Sequence, residues 1–238
     1  MYVYGKNTII GLINSKTNIE KIFLSEEFND KKIISLIIEK HLDYIKVSKN
    51  KLNSLSANNN HQGIVAKVFE YQYQSLDQVI NNTTNKANAL IIILDGLEDP
   101  QNFGSIIRTG EALNIDGIII PKNRSVKVTP SVARVSTGAM NNVDIVQVTN
   151  LNQTIKELKE HGYWIVGSDM NGDKSYDELK YDFKVALVIG SEGKGISQQV
   201  LKNCDYLIKI PMYGQVSSLN AAISSAIIMY QINSNRLK

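Results

Sequence analysis

The pattern of apolar and polar positions changes near residue 88. Residues 89–94 read ALIIIL, a short continuous apolar run, as expected of a strand buried on both faces. Further apolar runs at 117–120, 143–148, 163–168, 185–189 and 206–210 predict five more strands. Between them, helical spacing covers 104–113, 151–161 and 197–203, with a helical turn at 130–136. A last helix is predicted to start near Ser217 or Ser218 and to run to about Asn233. Strands alternating with helices predict an α/β fold, with a parallel sheet covered on both faces.

Residues 1–69 have a finer texture. Ile9, Ile10 and Ile13 stand at helical spacing within 4–14. Short strands are predicted at 19–24, 44–47 and 64–69. Asp30 is placed to cap a helix over 31–40, with Ile33, Ile34, Ile37 and Ile38 as its apolar face, and Ser48 to cap one over 48–55. These elements predict a small α/β domain over 1–69. Residues 70–87 are polar, with Asn81 to Asn85 unbroken by an apolar residue. They read as a linker with a short helix near 75–80, ahead of a larger domain over 88–238.

Composition narrows the classes. At 238 residues and 43% hydrophobic, the chain can bury one good core or two small ones. It has no apolar run long enough for a membrane span and no signal peptide pattern. One cysteine, Cys204, and three scattered histidines support neither a disulfide framework nor a cysteine-rich metal site, so a cytoplasmic, metal-free protein is expected. Net charge is +3, but residues 1–69 hold ten lysines against six acids. An RNA partner would dock there first, although a solvated lysine-rich face explains the charge equally well.

Three stretches carry candidate chemistry. The first is DPQNFGSIIR at 99–108, where Asn102 and Arg108 lie six residues apart around Gly104. An arginine there can clamp a phosphate with its forked donors. The second is VIGSEGKGIS at 188–197, which sets Glu192 in a glycine-rich loop after a strand. The third is IPMYGQVSSLNAA at 210–222, a strand-to-helix turn in which Pro211 ends the ladder and Ser218 can cap the last helix. Neither a G-x-G-x-x-G after the first strand nor a P-loop is present, and no histidine is placed for a serine triad. Lys122, Arg124, Lys127 and Lys194 read as ordinary surface cations.

In this order and spacing the three stretches resemble the three motifs of the SpoU (TrmH-type) RNA 2′-O-ribose methyltransferases. The opening G-x-N-x-x-x-x-L and the closing HQGI-x-A of the first third resemble the ribosomal-L30e-like substrate domain of the RlmB-type branch. The resemblance implies a SPOUT domain with a C-terminal trefoil knot, S-adenosylmethionine as methyl donor, and a homodimer formed through the C-terminal domain. It implies catalytic roles for Asn102, Arg108, Glu192, Ser218 and Asn220. It implies donor contacts from Gly190, Ile210 and Leu219, with Met212 and Gly214 on the same loop. Ser136 to Ala139 also resembles a family segment near the donor pocket, with a departure at Asn141 and Asn142. The implied substrate is a guanosine in the peptidyl-transferase region of 23S rRNA. Another RNA, such as tRNA, or a catalytically silent RNA-binding factor, are the alternatives. His61 reads as a turn residue whose ring bonds the backbone, or else as an RNA contact or a polar tether between domains.

Overall fold

Side chains that accept from the first free backbone N–H groups mark where several helices begin. A computed structural model describes residues 1–14, 19–68 and 71–236. In it the chain divides into two units, Met1–Gln72 with Lys127–Asn142, and Tyr73–Val126 with Val143–Lys238.

The first unit runs β1 (Tyr2–Tyr4), α1 (Lys6–Asn14), β2 (Ile19–Ser25), α2 (Lys31–Glu39), β3 (Tyr44–Val47), α3 (Lys49–Leu55) and β4 (Ile64–Val68). Asp30 and Ser48 cap α2 and α3 through Ile33 N and Lys51 N, as their sequence positions predict. The sheet order is β1-β4-β2-β3, with β4 antiparallel to both neighbours and β2 parallel to β3. Tyr4, Phe23, Leu52 and Val65 pack on one face, while Ile9, Leu12, Ile22, Leu24, Ile33 and Ile37 are also fully or nearly fully buried. The expected apolar face of α2 is narrower than its sequence suggests. Ile33 and Ile37 are buried, but Ile38 is 57% exposed. Positions 34 and 38 lie on the flank of the stripe, one residue beyond the pair that meets the core. Residue 69, the predicted end of β4, lies outside the described residues.

The second unit opens with α4 (Leu76–Thr83), capped by Ser75, whose Oγ accepts from Gln78 N. The helix lies inside the stretch that composition reads as a linker, and its Val79 and Ile80 are buried. It continues with β5 (Leu90–Asp95), α5 (Pro100–Ala112) and β6 (Gly117–Pro121). Residues Lys127–Asn142, with α6 (Pro130–Val135), then group with the first unit. There Thr137 O lies 2.6 Å from where a Cβ on Gly11 would sit, so only glycine at 11 permits the approach. Ser136 to Ala139 is part of this packing. The chain resumes with β7 (Ile145–Val148), α7 (Leu151–Glu160), β8 (Tyr163–Ser168), β9 (Lys174–Ser175), β10 (Lys184–Gly190), α8 (Gln198–Leu201), β11 (Tyr206–Lys209) and α9 (Ala221–Arg236).

The expected parallel sheet is present, in the order β7-β6-β5-β10-β8-β11-β9, with every pairing parallel. Ile91, Ile93, Ala186, Val188 and Ile165 project to one face and pack with residues of α4, α7 and α8. Leu90, Ile92, Val185 and Leu187 are equally buried and by strand alternation face the other side. Helix α9 packs against α5 and β10. With all strands parallel, the loops after β5, β8, β10 and β11 leave from one edge of the sheet, where α/β folds hold ligands. Among the described residues no helix is long and apolar enough to cross a membrane.

Candidate active site

At that edge, three loops from distant parts of the chain are joined by side chains. Helix α5 begins earlier than its apolar spacing suggests. Asp99 accepts from Gln101 N at 3.0 Å and Asn102 N at 3.3 Å, and Pro100 takes the first helical position, where its missing N–H costs nothing. These bonds, led by that from Gln101 N, hold the Asp99 carboxyl below the usual carboxylate range. The cap fixes the first turn of α5 and with it Asn102, which is 6% exposed.

Asn102 is bonded at both ends of its amide. Its Nδ2 donates to Glu192 Oε1, and its Oδ1 accepts from Asn220 Nδ2 at 2.9 Å. Glu192 is 90 residues away in sequence and Asn220 is 118. One hydrogen-bond chain, Glu192–Asn102–Asn220, therefore ties one member of each motif together. It orients the buried amide and leaves neither of its ends unsatisfied.

Asn220 has a second task. Its Oδ1 accepts from Ala222 N at 2.9 Å and Ile223 N at 3.3 Å, and its carbonyl accepts from Ser224 N at 2.9 Å. Asn220, not Ser218, thus caps the last helix, which starts at Ala221 rather than near 217 or 218. Ser218 is exposed in the loop before the cap and has no hydrogen bond to another described residue. Arg108 lies two-thirds along α5, rather than early in it. It is exposed and has no ion pair or hydrogen bond to a described residue, so its guanidinium is open to an outside anion. A six-residue helical step rotates it about 120° from Asn102, so the two do not share a face.

The loop after β10 is folded tightly on itself. Ser191 and Gly195 exchange backbone hydrogen bonds at 3.1 and 2.9 Å. A Cβ on Gly190 would sit 2.1 Å from Gly195 C and 2.3 Å from Ile196 N, both backbone atoms. No side chain fits there. Asp95, at the end of β5, pairs in register with Gly190 and accepts from Ser197 N at 2.7 Å. Asp95 and Asp99 are the positioning residues that the sequence reading missed. Asp99-Pro100 is a recognisable start signal; Asp95 has none, because its partner is 102 residues away.

Of the residues expected to hold the methyl donor, Gly190 ends β10 and the others lie on the loop after β11. Ile210, Met212 and Leu219 are half-buried, and Gly214 is exposed with nothing within 4 Å of a Cβ built on it. Ile210, Met212 and Leu219 are apolar or uncharged side chains of the kind that pack against an adenosine-like group.

Residues 89–230 match the model of the SpoU rRNA Methylase family, and residues 2–74 match that for RNA 2′-O ribose methyltransferase substrate binding. The chain is similar to a Staphylococcus haemolyticus (strain JCSC1435) protein named provisionally as a TrmH family tRNA/rRNA methyltransferase. The two are 43% identical over 238 residues, which cover 98% of this chain and 95% of that one. It is also similar to the crystal structure of the SpoU methyltransferase AviRb from Streptomyces viridochromogenes, at TM-score 0.85 and 25% identity, covering 100% of this chain and 90% of that one. The complex of AviRb with the cofactor AdoMet gives TM-score 0.84 and 26% identity with the same coverage. The hydrogen-bond chain across the three motifs and the match over both units lead to one conclusion: the chain belongs to the SpoU/TrmH family of RNA methyltransferases.

Proposed function

We propose that the protein methylates the 2′-oxygen of a guanosine ribose in the peptidyl-transferase region of 23S rRNA, with S-adenosylmethionine as donor. The observation that carries the reading is the Glu192–Asn102–Asn220 chain. A silent RNA-binding factor has no use for a buried amide bonded at both ends to two distant stretches of the chain.

When bound, the donor would supply an electrophilic methyl group: the 2′-oxygen bonds to the methyl carbon as the carbon–sulfur bond breaks, and the sulfur departs as a thioether. Gly190, Ile210, Met212, Gly214 and Leu219 would hold it at the ends of β10 and β11. Arg108 holds the phosphate beside the target ribose and polarises the 2′-hydroxyl, which loses its proton to water late in the step. Asn102, fixed between Glu192 and Asn220, keeps the ribose in line, and Ser218 adds a hydroxyl on the loop that α9 anchors.

A homodimer belongs to the same reading. Ile223 and Tyr230 of α9 are 53% and 67% exposed, with Ile227 half-buried between them. This spacing makes one apolar stripe along the helix, fit for a second copy. The C-terminal knot is part of it too. β10 lies between β5 and β8, and α9 returns against α5 and β10.

The test is transfer of labelled methyl from S-adenosylmethionine to unmodified 23S rRNA, with tRNA in parallel, and mapping of the product by reverse-transcription stops. One methylated guanosine in the peptidyl-transferase loop is the expected result. Label on tRNA alone moves the substrate and keeps the chemistry. No transfer to any RNA, despite donor binding, overturns the reading.

A further inference from the structure

Away from the proposed methyl-transfer residues, the turn between α3 and β4 is closed by its own hydrogen bonds and carries side chains that bond to no described residue. Ser56 Oγ donates toward the carbonyls of Asn53 and Asn59, and Asn59 Nδ2 donates to Ser56 O at 2.8 Å. Ala57, Asn58 and Gln62 take the left-handed backbone, with φ of 50°, 59° and 53°. His61 is 7% exposed and both of its ring nitrogens are engaged. Gly63 N donates to Nδ1 at 3.0 Å, so the proton sits on Nε2, which faces Asn53 Oδ1 at 3.0 Å. That contact fixes the Asn53 amide, whose Nδ2 bonds to no described residue. Gln62 is similar, since its Oε1 accepts from Lys6 N at 2.8 Å and its Nε2 has no described partner. Asn58, Asn60 and Lys49 are exposed and their side chains bond to no described residue.

These groups line one open depression of about 430 Å³. A turn that uses Ser56, Asn59 and His61 to hold its shape, yet leaves amides and an ammonium unspent around a hollow, is preorganised for a polar ligand. Amides match the mixed donor and acceptor edge of a nucleobase, and lysine matches a phosphate. A base within a duplex presents no free edge of this kind to a shallow hollow, whereas an unpaired base does.

We propose that the hollow bounded by Lys49, Asn53, Asn58, Asn60 and Gln62 binds one unpaired nucleotide of the RNA substrate, its base read by the amides and its phosphate held by Lys49. The inference rests on the reading of RNA as substrate and gives the first unit a defined contact. The site is neutral apart from one lysine, so it selects unpaired over paired RNA more than it adds bulk affinity.

The test uses the full chain and 4-thiouridine-bearing transcripts of 23S rRNA and tRNA. Photo-cross-links of the wild type are expected within residues 49–63. Asn58→Gly keeps the left-handed backbone while removing the amide; combined with Lys49→Ala and Asn60→Ala, it is expected to weaken RNA binding at least about tenfold. Donor binding and melting temperature stay unchanged. Lys49→Ala alone flattens the slope of log K against log salt by about 0.7. Cross-links that fall elsewhere, a triple variant that binds RNA like the wild type, or no RNA binding at all each overturn the proposal. Methyl transfer on the same samples separates the two readings. Transfer that survives the triple variant at unchanged KM rejects the hollow and keeps the methyltransferase. Cross-links at the hollow without any transfer keep the hollow and reject the methyltransferase.

Discussion

Asp95 and Ser197 close the loop that carries Glu192. The Asp95 carboxylate accepts from Ser197 N at 2.7 Å, and the Asp95 backbone stands opposite Gly190 in the sheet. One residue thus holds both ends of the loop, and Glu192 is aimed at Asn102 from a fixed base. Asp95→Ala frees one end. We expect kcat for methyl transfer to fall at least about tenfold, with a loss of about 1 kcal/mol in stability from the missing bond. Asp95→Asn keeps an acceptor oxygen and is expected to restore most of kcat, which a mere loss of charge would not allow. Steady-state kinetics with thermal melts on both variants decide it.

Asn220 joins two functions that substitutions can separate. Asn220→Ala removes the cap of α9 and the donor to Asn102, costing about 1 kcal/mol and most of the transfer activity. Asn220→Asp restores the cap but replaces the donor with an acceptor facing Asn102 Oδ1. Its melting temperature should rise only part of the way from that of Asn220→Ala, because the buried Asn102 Oδ1 loses its donor, while its activity does not recover. Recovery of both would remove the Asn102 bond from the mechanism.

Gly190→Ala tests the tight loop. The added methyl meets backbone atoms of Gly195 and Ile196, which have no flexible end to swing away. A destabilisation of about 3 kcal/mol in chemical denaturation is expected, with loss of donor binding in calorimetry. A variant that binds the donor normally would place the donor off this loop.

Arg108→Ala should leave stability and donor binding as they are, because the side chain is exposed and has no bond to a described residue. Transfer should fall at least about a hundredfold, the usual scale for losing a group that assists proton removal. Single-turnover kinetics with bound donor measure this directly, and full activity would end the assignment.

Acid should act on the first unit through His61. Burial, and after it the nearby Lys49 charge, lower its pKa from the ordinary 6.5. The folded state therefore prefers the neutral ring, and its stability is whole above pH 6.5. It declines as the pH falls from 6.5 toward the folded value, because the unfolded chain takes up the proton first. Protonation would also turn Nδ1 into a donor facing Gly63 N–H. Urea denaturation between pH 7 and pH 5 should show this decline in the wild type and a flatter profile in His61→Gln.

Much of this architecture was legible because its signals are local. The continuous apolar runs of β5, β8 and β10 and the caps at Asp30 and Ser48 depend on neighbours within a few positions, and so could be read in a row. Short pairings were not legible. β1 and β9 have three and two residues, too few to show a period, and exist because a longer strand lies beside them. The start of α9 was misplaced because Ser217, Ser218 and Asn220 are all competent caps, and only the reach of Asn102 selects the last. The motifs named Asn102, Glu192 and Asn220 as site residues, but the bonds among them span too many residues to be read from spacing. The roles of Asp95 and Asp99 lay outside what the motif residues disclosed.

Asn220 opens the final helix and also completes the bond to Asn102, so two events coincide. A ribosome that has released everything up to residue 219 has made Asn102 and Glu192, but not the residue that joins them to the terminal helix. The bonded arrangement around Asn102 therefore waits until α9 has been made. On the proposed reading, a molecule cut or frayed before Asn220 is expected to bind RNA without methylating it.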